Sequence, residues 1–329
     1  MKSKFYYKFT LFAILFAAVV VVLGAYTRLV EAGLGCPDWP GCYGFLTVPD
    51  SHEEIKITEE AYPHAAVETD KAWPEMVHRY FAGTLGLIIA LLAFLAFRAR
   101  HDASQPLLLP FLLLGLVIFQ AALGMWTVTM GLLPVVVMGH LLGGFTTLAL
   151  LWLLFLRLRD GNHRAKSNRL RTLAIIGIFL VFAQISLGGW TSANYAAIVC
   201  TDFPTCQGHW IPPLDLEGAF QIRDEGINNY LGGFMDNTAR VTVHWLHRVG
   251  ALITTLYLLF LSYSLAMQGR HMYASWLIAV LTVQVTLGIS NVLLSLPMHV
   301  AVAHNGIAAL LLLSLVGIAR NLGQQRETP

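Results

Sequence analysis

Eight stretches of about 20 consecutive apolar residues punctuate the 329-residue chain, at roughly 9–30, 77–97, 107–128, 135–156, 172–192, 241–267, 273–295 and 300–319. Each is long enough to cross a hydrocarbon core of about 30 Å as a helix. A backbone surrounded by lipid must satisfy its own hydrogen bonds, which a helix does segment by segment. The chain therefore reads as an all-α polytopic membrane protein with eight transmembrane helices. Only 12% of its residues are charged, against about 25% in ordinary soluble domains. The first stretch is expected to stay as an anchor, because its apolar core is long for a signal peptide and no small-residue cleavage site ends it.

Lysine and arginine set the expected orientation. With the N-terminus inside, the inner segments are 1–8, 98–106, 157–171, 268–272 and 320–329, and they hold 14 of the 21 basic residues. The outer segments, taken with Glu75, hold 16 of the 19 acidic residues. Both termini are thus expected in the cytoplasm. No long Arg- and Ser-rich presequence precedes the first span, so a bacterial cell (inner) membrane is the expected location. The net charge of +2 adds nothing about partners, and no nucleic acid is expected.

The sequence also overlays itself. Shifted by 164 residues, "LGAYTRLVEAGLGCPDWPGCYG" (23–44) falls on "LGGWTSANYAAIVCTDFPTCQG" (187–208) with nine of 22 positions identical. The same shift places Gln120 on Gln284, Gly124 on Gly288 and His140 on His304, whereas His78 meets His247 after a shift of 169. This is a tandem repeat. Four spans per copy is an even number, so both copies run the same way about an axis along the membrane normal. The expected architecture is two parallel pseudo-symmetric four-helix bundles. They comprise 1–160, with an outer loop at about 31–74, and 161–329, with an outer loop at about 193–238.

The repeat sorts the twelve histidines. His101, His163 and His271 fall in inner loops, and His52, His64 and His209 in outer ones, where they read as solvated surface. His78, His140, His247 and His304 instead fall within spans two, four, six and eight, near their outer ends. An ionisable residue inside a membrane is costly and points to function. A single one also fits a core histidine bonded to a carbonyl, but two matched pairs at equal depth call for a common ligand.

Neutral imidazole binds metals, and bundles build cofactor sites from facing helices. Zinc takes four protein ligands in structural sites, and a di-iron site needs two Glu-x-x-His units with further glutamates. Here "EMVH" (75–78) supplies that spacing once, with no other carboxylate inside a span. Two imidazoles without carboxylates suit haem, whose ring brings four nitrogens of its own. The absence of Cys-x-x-Cys-His argues against covalent attachment. Arg79 and Arg248, each next to its histidine, fit either haem propionates or lipid headgroups reached by snorkelling. Small residues following the histidines, as in "FAGTLG" (81–86), "GHLLGG" (139–144), "RVGA" (248–251) and "HNGIAA" (304–309), suit a flat cofactor and helix packing alike.

All four cysteines lie in the outer loops as two Cys-x5-Cys pairs, "CPDWPGC" and "CTDFPTC". Two thiols make a poor zinc site and the compartment is oxidising, so disulfides Cys36–Cys42 and Cys200–Cys206 are expected, whether structural or redox-active.

One position breaks the symmetry. "EMVHR" (75–79) has a counterpart in "HWLHR" (244–248), with His244 where Glu75 stands. Three residues apart on a helix, Glu75 and His78 share a face, which places a carboxylate at the cofactor's rim. It would accept a proton or steady positive charge there; a first-turn glutamate favoured by the helix dipole is the plainer reading. On the functional reading the N-terminal site is chemical and the C-terminal one auxiliary.

This set of motifs, running over nearly the whole chain, resembles the haem A synthase (CtaA) family, in its bacterial type with cysteine pairs in both halves. The resemblance implies oxidation of the C8 methyl of haem O to the formyl group of haem A. It implies Glu75 as the catalytic residue, His78 and His140 as axial ligands of the substrate haem, and His247 and His304 as axial ligands of a haem b. The implied partners are haem O, haem O synthase, an electron acceptor of unassigned identity, membrane lipid and a further copy of the chain. Two rivals stay open from the residues alone: a di-haem b-type electron-transfer protein, and a transporter relaying protons through its histidines.

Overall fold

The computed structural model describes residues 2–102, 105–161, 168–222 and 226–323; His163 lies outside them. It is all-helical among those residues. Eight long helices are apolar enough to cross a membrane: α1 (Lys2–Leu29), α3 (Thr69–Arg98), α4 (Leu108–Thr129), α5 (Pro134–Asp160), α6 (Arg169–Ala193), α8 (Asn237–Met267), α9 (His271–Leu293) and α10 (Met298–Leu322). Two short helices, α2 (His52–Ala61) and α7 (Leu216–Ala219), lie in the two long loops, between α1 and α3 and between α6 and α8. The chain is a multi-pass membrane protein. Large apolar side chains such as Leu87, Phe179 and Met272 stand exposed on its sides, as lipid-facing positions should.

The helices close into two rings. α1 packs on α3, α3 on α4, α4 on α5 and α5 on α1; likewise α6 packs on α8, α8 on α9, α9 on α10 and α10 on α6. Contacts of α5 with α6, α5 with α10, and α1 with α10 join the rings. A continuous core runs through both and includes Ile89, Leu92, Leu113 and Leu151 in the first and Leu258, Leu261, Leu277 and Leu315 in the second. At the end that carries the disulfide loops the rings are tied by Arg28, whose Nη2 donates to the Ser192 carbonyl at 2.6 Å while its guanidinium lies 4.1 Å from the centre of the Tyr195 ring.

A shorter period than the tandem repeat emerges. Each odd-numbered span carries Leu-Gly followed by a polar residue three positions after the glycine: Gly24 and Thr27, Gly124 and Thr127, Gly188 and Thr191, Gly288 and Asn291. Each then ends in the same left-handed turn, with positive φ at Glu31 (56°), Gly131 (57°), Tyr195 (55°) and Ser295 (57°). In every copy the next backbone N–H returns to the carbonyl of the polar residue: Ala32 to Thr27 (3.0 Å), Leu132 to Thr127 (2.8 Å), Ala196 to Thr191 (2.9 Å) and Leu296 to Asn291 (2.8 Å). That six-to-one closure satisfies an orphan carbonyl at a helix end. The glycine at 131 is also needed for space, since Tyr230 N–H bonds its carbonyl at 2.7 Å and a Cβ there would overlap Asn228. The structural unit is thus a pair of spans, present four times.

α3 starts about two turns before the apolar stretch that announced it, and α8 about one. The reason is burial beneath the long loops. Ala72 and Met76 pack with Cys36, Cys42, Tyr43 and Val48 in a separate outer core, and Ala239 and Val243 join Trp190, Ala196, Ala219 and Met235 in another. The helix therefore continues wherever a loop covers it.

Candidate functional site

Both outer loops are built on one plan. Cys36 is bonded to Cys42 and Cys200 to Cys206. Inside each small loop an aspartate grips two backbone N–H groups: Asp38 those of Tyr43 (2.6 Å) and Gly44 (2.7 Å), Asp202 those of Gln207 (2.7 Å) and Gly208 (3.0 Å). Asp202 also accepts from the Thr205 hydroxyl at 2.6 Å. These bonds, the Thr205 one foremost, hold its carboxyl well below the usual carboxylate range. Burial is the main influence holding the Tyr43 phenol above its ordinary value, and its hydroxyl donates to the Ala66 carbonyl at 2.7 Å.

The two arginines that the sequence leaves between haem propionates and lipid headgroups bind these loops. Arg79 Nη1 donates to the carbonyls of Asp38 (2.9 Å) and Gly41. Arg248 Nη1 does the same at the repeat-equivalent Asp202 (2.8 Å) and Thr205 (2.7 Å). Beyond that the copies part. Arg79 Nη2 pairs with Glu75 Oε1 at 2.5 Å, and Glu75 Oε2 accepts from the Cys36 N–H at 2.9 Å. In the second copy Arg248 Nη2 donates to the Cys200 carbonyl at 2.8 Å, and His244 Nδ1 meets the Ala196 carbonyl at 2.8 Å. Glu75 and His244 are both buried, at 5% and 4% exposure. His244 is therefore a second tie to the loop, whereas Glu75 carries a charge balanced by one guanidinium.

Inward from this layer lie the four histidines. α3 and α5 sit opposite one another in the first ring with no close approach of their backbones, and His78 and His140 meet between them. Their ring centres are 6.4 Å apart and their planes nearly perpendicular, at 89°. A metal–nitrogen distance of about 2.0–2.1 Å, with about 1.1 Å more from nitrogen to ring centre, places two imidazoles on opposite sides of one metal about 6.3 Å apart. The spacing fits a single iron held between them. His247 on α8 and His304 on α10 occupy the corresponding opposite helices of the second ring.

Each histidine ring rests on the glycine of its own span pair. A Cβ added at Gly24 would approach His78 Cε1 to 2.9 Å, at Gly124 His140 Cε1 to 3.4 Å, at Gly188 His247 Cε1 to 3.1 Å and at Gly288 His304 Cε1 to 3.1 Å. The glycines are cradles for the rings, a role the sequence reading did not assign, although the Leu-Gly dipeptide recurs in all four odd spans. The Nδ1 atoms of His78, His140 and His304 are buried without a partner among the described residues. No cluster of three or more His, Cys, Asp or Glu side chains that could hold a bare metal ion occurs among the described residues. The donor set suits a metal that brings equatorial ligands with it, and haem does so.

Residues 7–316 match the family model described as cytochrome oxidase assembly protein, COX15-CtaA. The chain belongs to this family. Among its curated relatives, a protein of Shewanella oneidensis named Heme A synthase is 47% identical over 309 residues, covering 93% of each chain. Proteins of the same name from Methylobacterium radiotolerans and Halalkalibacterium halodurans are 30% and 26% identical, over 90% and 94% of this chain and 84% and 94% of theirs. The COX15-CtaA match reaches into all eight membrane helices, and the cysteine loops and the histidine layer fall within it.

Proposed function

We propose that the chain is a haem A synthase, oxidising the C8 methyl of haem O through an alcohol to the formyl group of haem A. The observation that carries this reading is the perpendicular His78–His140 pair, 6.4 Å between ring centres, in the ring that, alone among the described residues, also supplies a buried carboxylate, Glu75. The 47% identity to a protein of that name supports it. In this reading the N-terminal half, 1–160, holds the substrate between His78 and His140. The C-terminal half, 161–329, holds a haem b between His247 and His304, which supplies one-electron redox chemistry when bound.

Two imidazoles on the substrate iron leave no open position for oxygen there, so the oxygen of the product is drawn from water. Each of two rounds adds one water and releases two protons and two electrons. The first gives the alcohol, the second a geminal diol that loses water to become the aldehyde. Glu75 takes the proton that water surrenders, or steadies positive charge developing at the methylene carbon borne by C8. Arg79 and the Cys36 N–H orient that carboxylate, and the disulfide Cys36–Cys42 orients the N–H. Arg248 keeps its buried Nε without a partner among the described residues, a donor available to a haem carboxylate; Arg79 serves the loop and Glu75.

The protein is placed in a bacterial inner membrane with both termini cytoplasmic, supported by the excess of lysine and arginine in its inner segments. Haem O synthase is the natural source of substrate, and an electron acceptor takes four electrons per haem A.

Pigment extraction and mass analysis of the purified protein test the reading. Haem B together with haem O, the alcohol or haem A is the expected content, with label from water, not from molecular oxygen, in newly made formyl groups. A colourless protein, or two equivalents of haem B with no formyl product, would overturn it in favour of a carrier or a transporter.

A further inference from the structure

We propose that the seam between α1 and α10 is a binding groove for a quinone, the membrane-borne acceptor of the electrons taken from haem O. The inference rests on the functional reading above. An open groove of about 570 Å³ runs along this seam, walled by Val22 and Tyr26 of α1 and by His299, Val302, Ala303 and Gly306 of α10. That volume is in the range of small-molecule sites. The walls are apolar except at the end nearest the disulfide loops, where Tyr26 and His299 stand. Neither of these side chains makes a hydrogen bond with another described residue.

The tandem repeat supplies a comparison within the molecule. The shift of 164 carries α1 onto α6 and α5 onto α10, so the seam between α5 and α6 is the mate of this one. There Trp190 and Val135 stand for Tyr26 and His299, and Met138 and Leu142 for Val302 and Gly306. Trp190 packs with Val135 and Met138, donates from Nε1 to the Ala219 carbonyl at 2.8 Å and is 6% exposed. Tyr26 is 37% exposed, and a Cβ added at Gly306 would meet nothing within 4 Å. One seam is filled with large side chains. The other has smaller ones in their place, and two groups that can donate to a carbonyl oxygen.

The groove is also level with both histidine pairs. Val22 and Tyr26 stand two residues either side of Gly24, which cradles His78, and Val302 and Gly306 two residues either side of His304. Two residues is a little over half a turn of helix. The groove therefore lies behind each histidine layer by the width of one helix, about 10–12 Å. Each round on haem O releases two electrons and two protons, and a quinone takes up both to become a quinol. Over two rounds one methyl group, one water and two quinones give one formyl group and two quinols. A quinone shares the bilayer with this protein, its ring oxygens accept hydrogen bonds, and its isoprenoid tail is apolar. The ring meets Tyr26 and His299, and the tail runs along Val22, Val302 and Gly306. A lipid acyl chain has no use for the two donors.

The test uses the full chain, purified with its pigment and reconstituted in quinone-free phosphatidylcholine vesicles. The probe is an azido-benzoquinone with a short isoprenoid tail, its photo-adducts mapped by mass spectrometry. Adducts are expected within 22–26 and 298–307, and decyl-benzoquinone should displace them. Gly306→Leu fills the groove and should cut labelling about tenfold or more. His299→Leu removes one hydrogen bond and should cut it about threefold to tenfold. Both should keep the parent's haem content. Gly83→Leu, at a position equally open but outside the groove, is the control and should label as the parent does. Haem A formation driven by decyl-benzoquinone should fall with the labelling, while formation driven by ferricyanide should not. Adducts spread evenly over the membrane helices, or a Gly306→Leu protein labelled like the parent, would overturn this inference and leave the seam to lipid. Haem A still formed with ferricyanide would then keep the functional reading. A chain that carries no haem and makes no haem A with either acceptor would overturn both.

Discussion

Glu75 Oε2 accepts a 2.9 Å hydrogen bond from the backbone N–H of Cys36, so the acid on α3 and the first disulfide loop form one unit. With Arg79 bridging the other oxygen of Glu75 to the Asp38 and Gly41 carbonyls, the carboxylate has no freedom that the loop does not grant it. The second copy of the loop holds its helix with as many bonds, but none of them ends on a carboxylate.

Replacing Glu75 with Gln keeps a side chain of the same shape and removes its charge. Haem A formation should fall by about 10²-fold or more, the usual contribution of a positioned acid or base. The haem content of both sites should remain, measured by pyridine haemochrome alongside the rate. Haem A made at the parent rate would remove Glu75 from the reaction.

Opening the two disulfides should have unequal effects. Cys36→Ser frees the segment whose N–H orients Glu75, and misplacing a reacting group by about 1 Å can cost about 10²-fold. Cys200→Ser frees a loop that meets Arg248 and no acid, so activity should stay within about twofold, with the loss confined to stability. Equal losses from both variants would show that the loops serve only to hold the fold.

The glycine cradles can be filled one at a time. Gly24→Val drives a branched side chain against His78 and Gly188→Val one against His247, and overpacking of this kind costs about 1–3 kcal/mol. The first should deplete the N-terminal pigment and the second the C-terminal one, read as separate losses in haem O and haem B content. Gly83→Ala, with nothing within 4 Å of the added carbon, is the control and should bind both.

Acid should loosen the second outer loop late. Because the Asp202 carboxyl is held below its ordinary value in the fold, its contribution is complete above the unfolded value of about 3.9. It is lost only as pH falls further, through the folded value. Hydrogen exchange at Gln207 and Gly208, corrected for intrinsic rate, should stay slow at pH 4 and accelerate below it. In Asp202→Asn the protection should be weaker and flat with pH.

The spans, the histidine pairs and the cysteine pairs were legible in the sequence because each is a pattern of side-chain types. The Leu-Gly unit is just as short but does not stand out as a pattern. Its partner histidine follows after 54, 16, 59 and 16 residues, and the two long outer loops hide the common geometry. What Arg79 and Arg248 bind was not legible at all, since their partners are carbonyls and every residue has one. The early start of α3 was hidden for a related reason. "TDKAWPEM" (69–76) looks polar enough for a loop, and only the disulfide core against Ala72 and Met76 makes it a helix.

On the function proposed above, a chain assembled from four like hairpins obtains two pigment holders from one invention. Duplication gives such a protein a spare: one holder can stay a fixture while its sibling accumulates the single acidic exchange that turns holding into chemistry. On that view a carrier and a catalyst differ here by what stands one helical turn ahead of a histidine, and grafting an acid in place of His244 is the step by which the second holder would begin to follow the first.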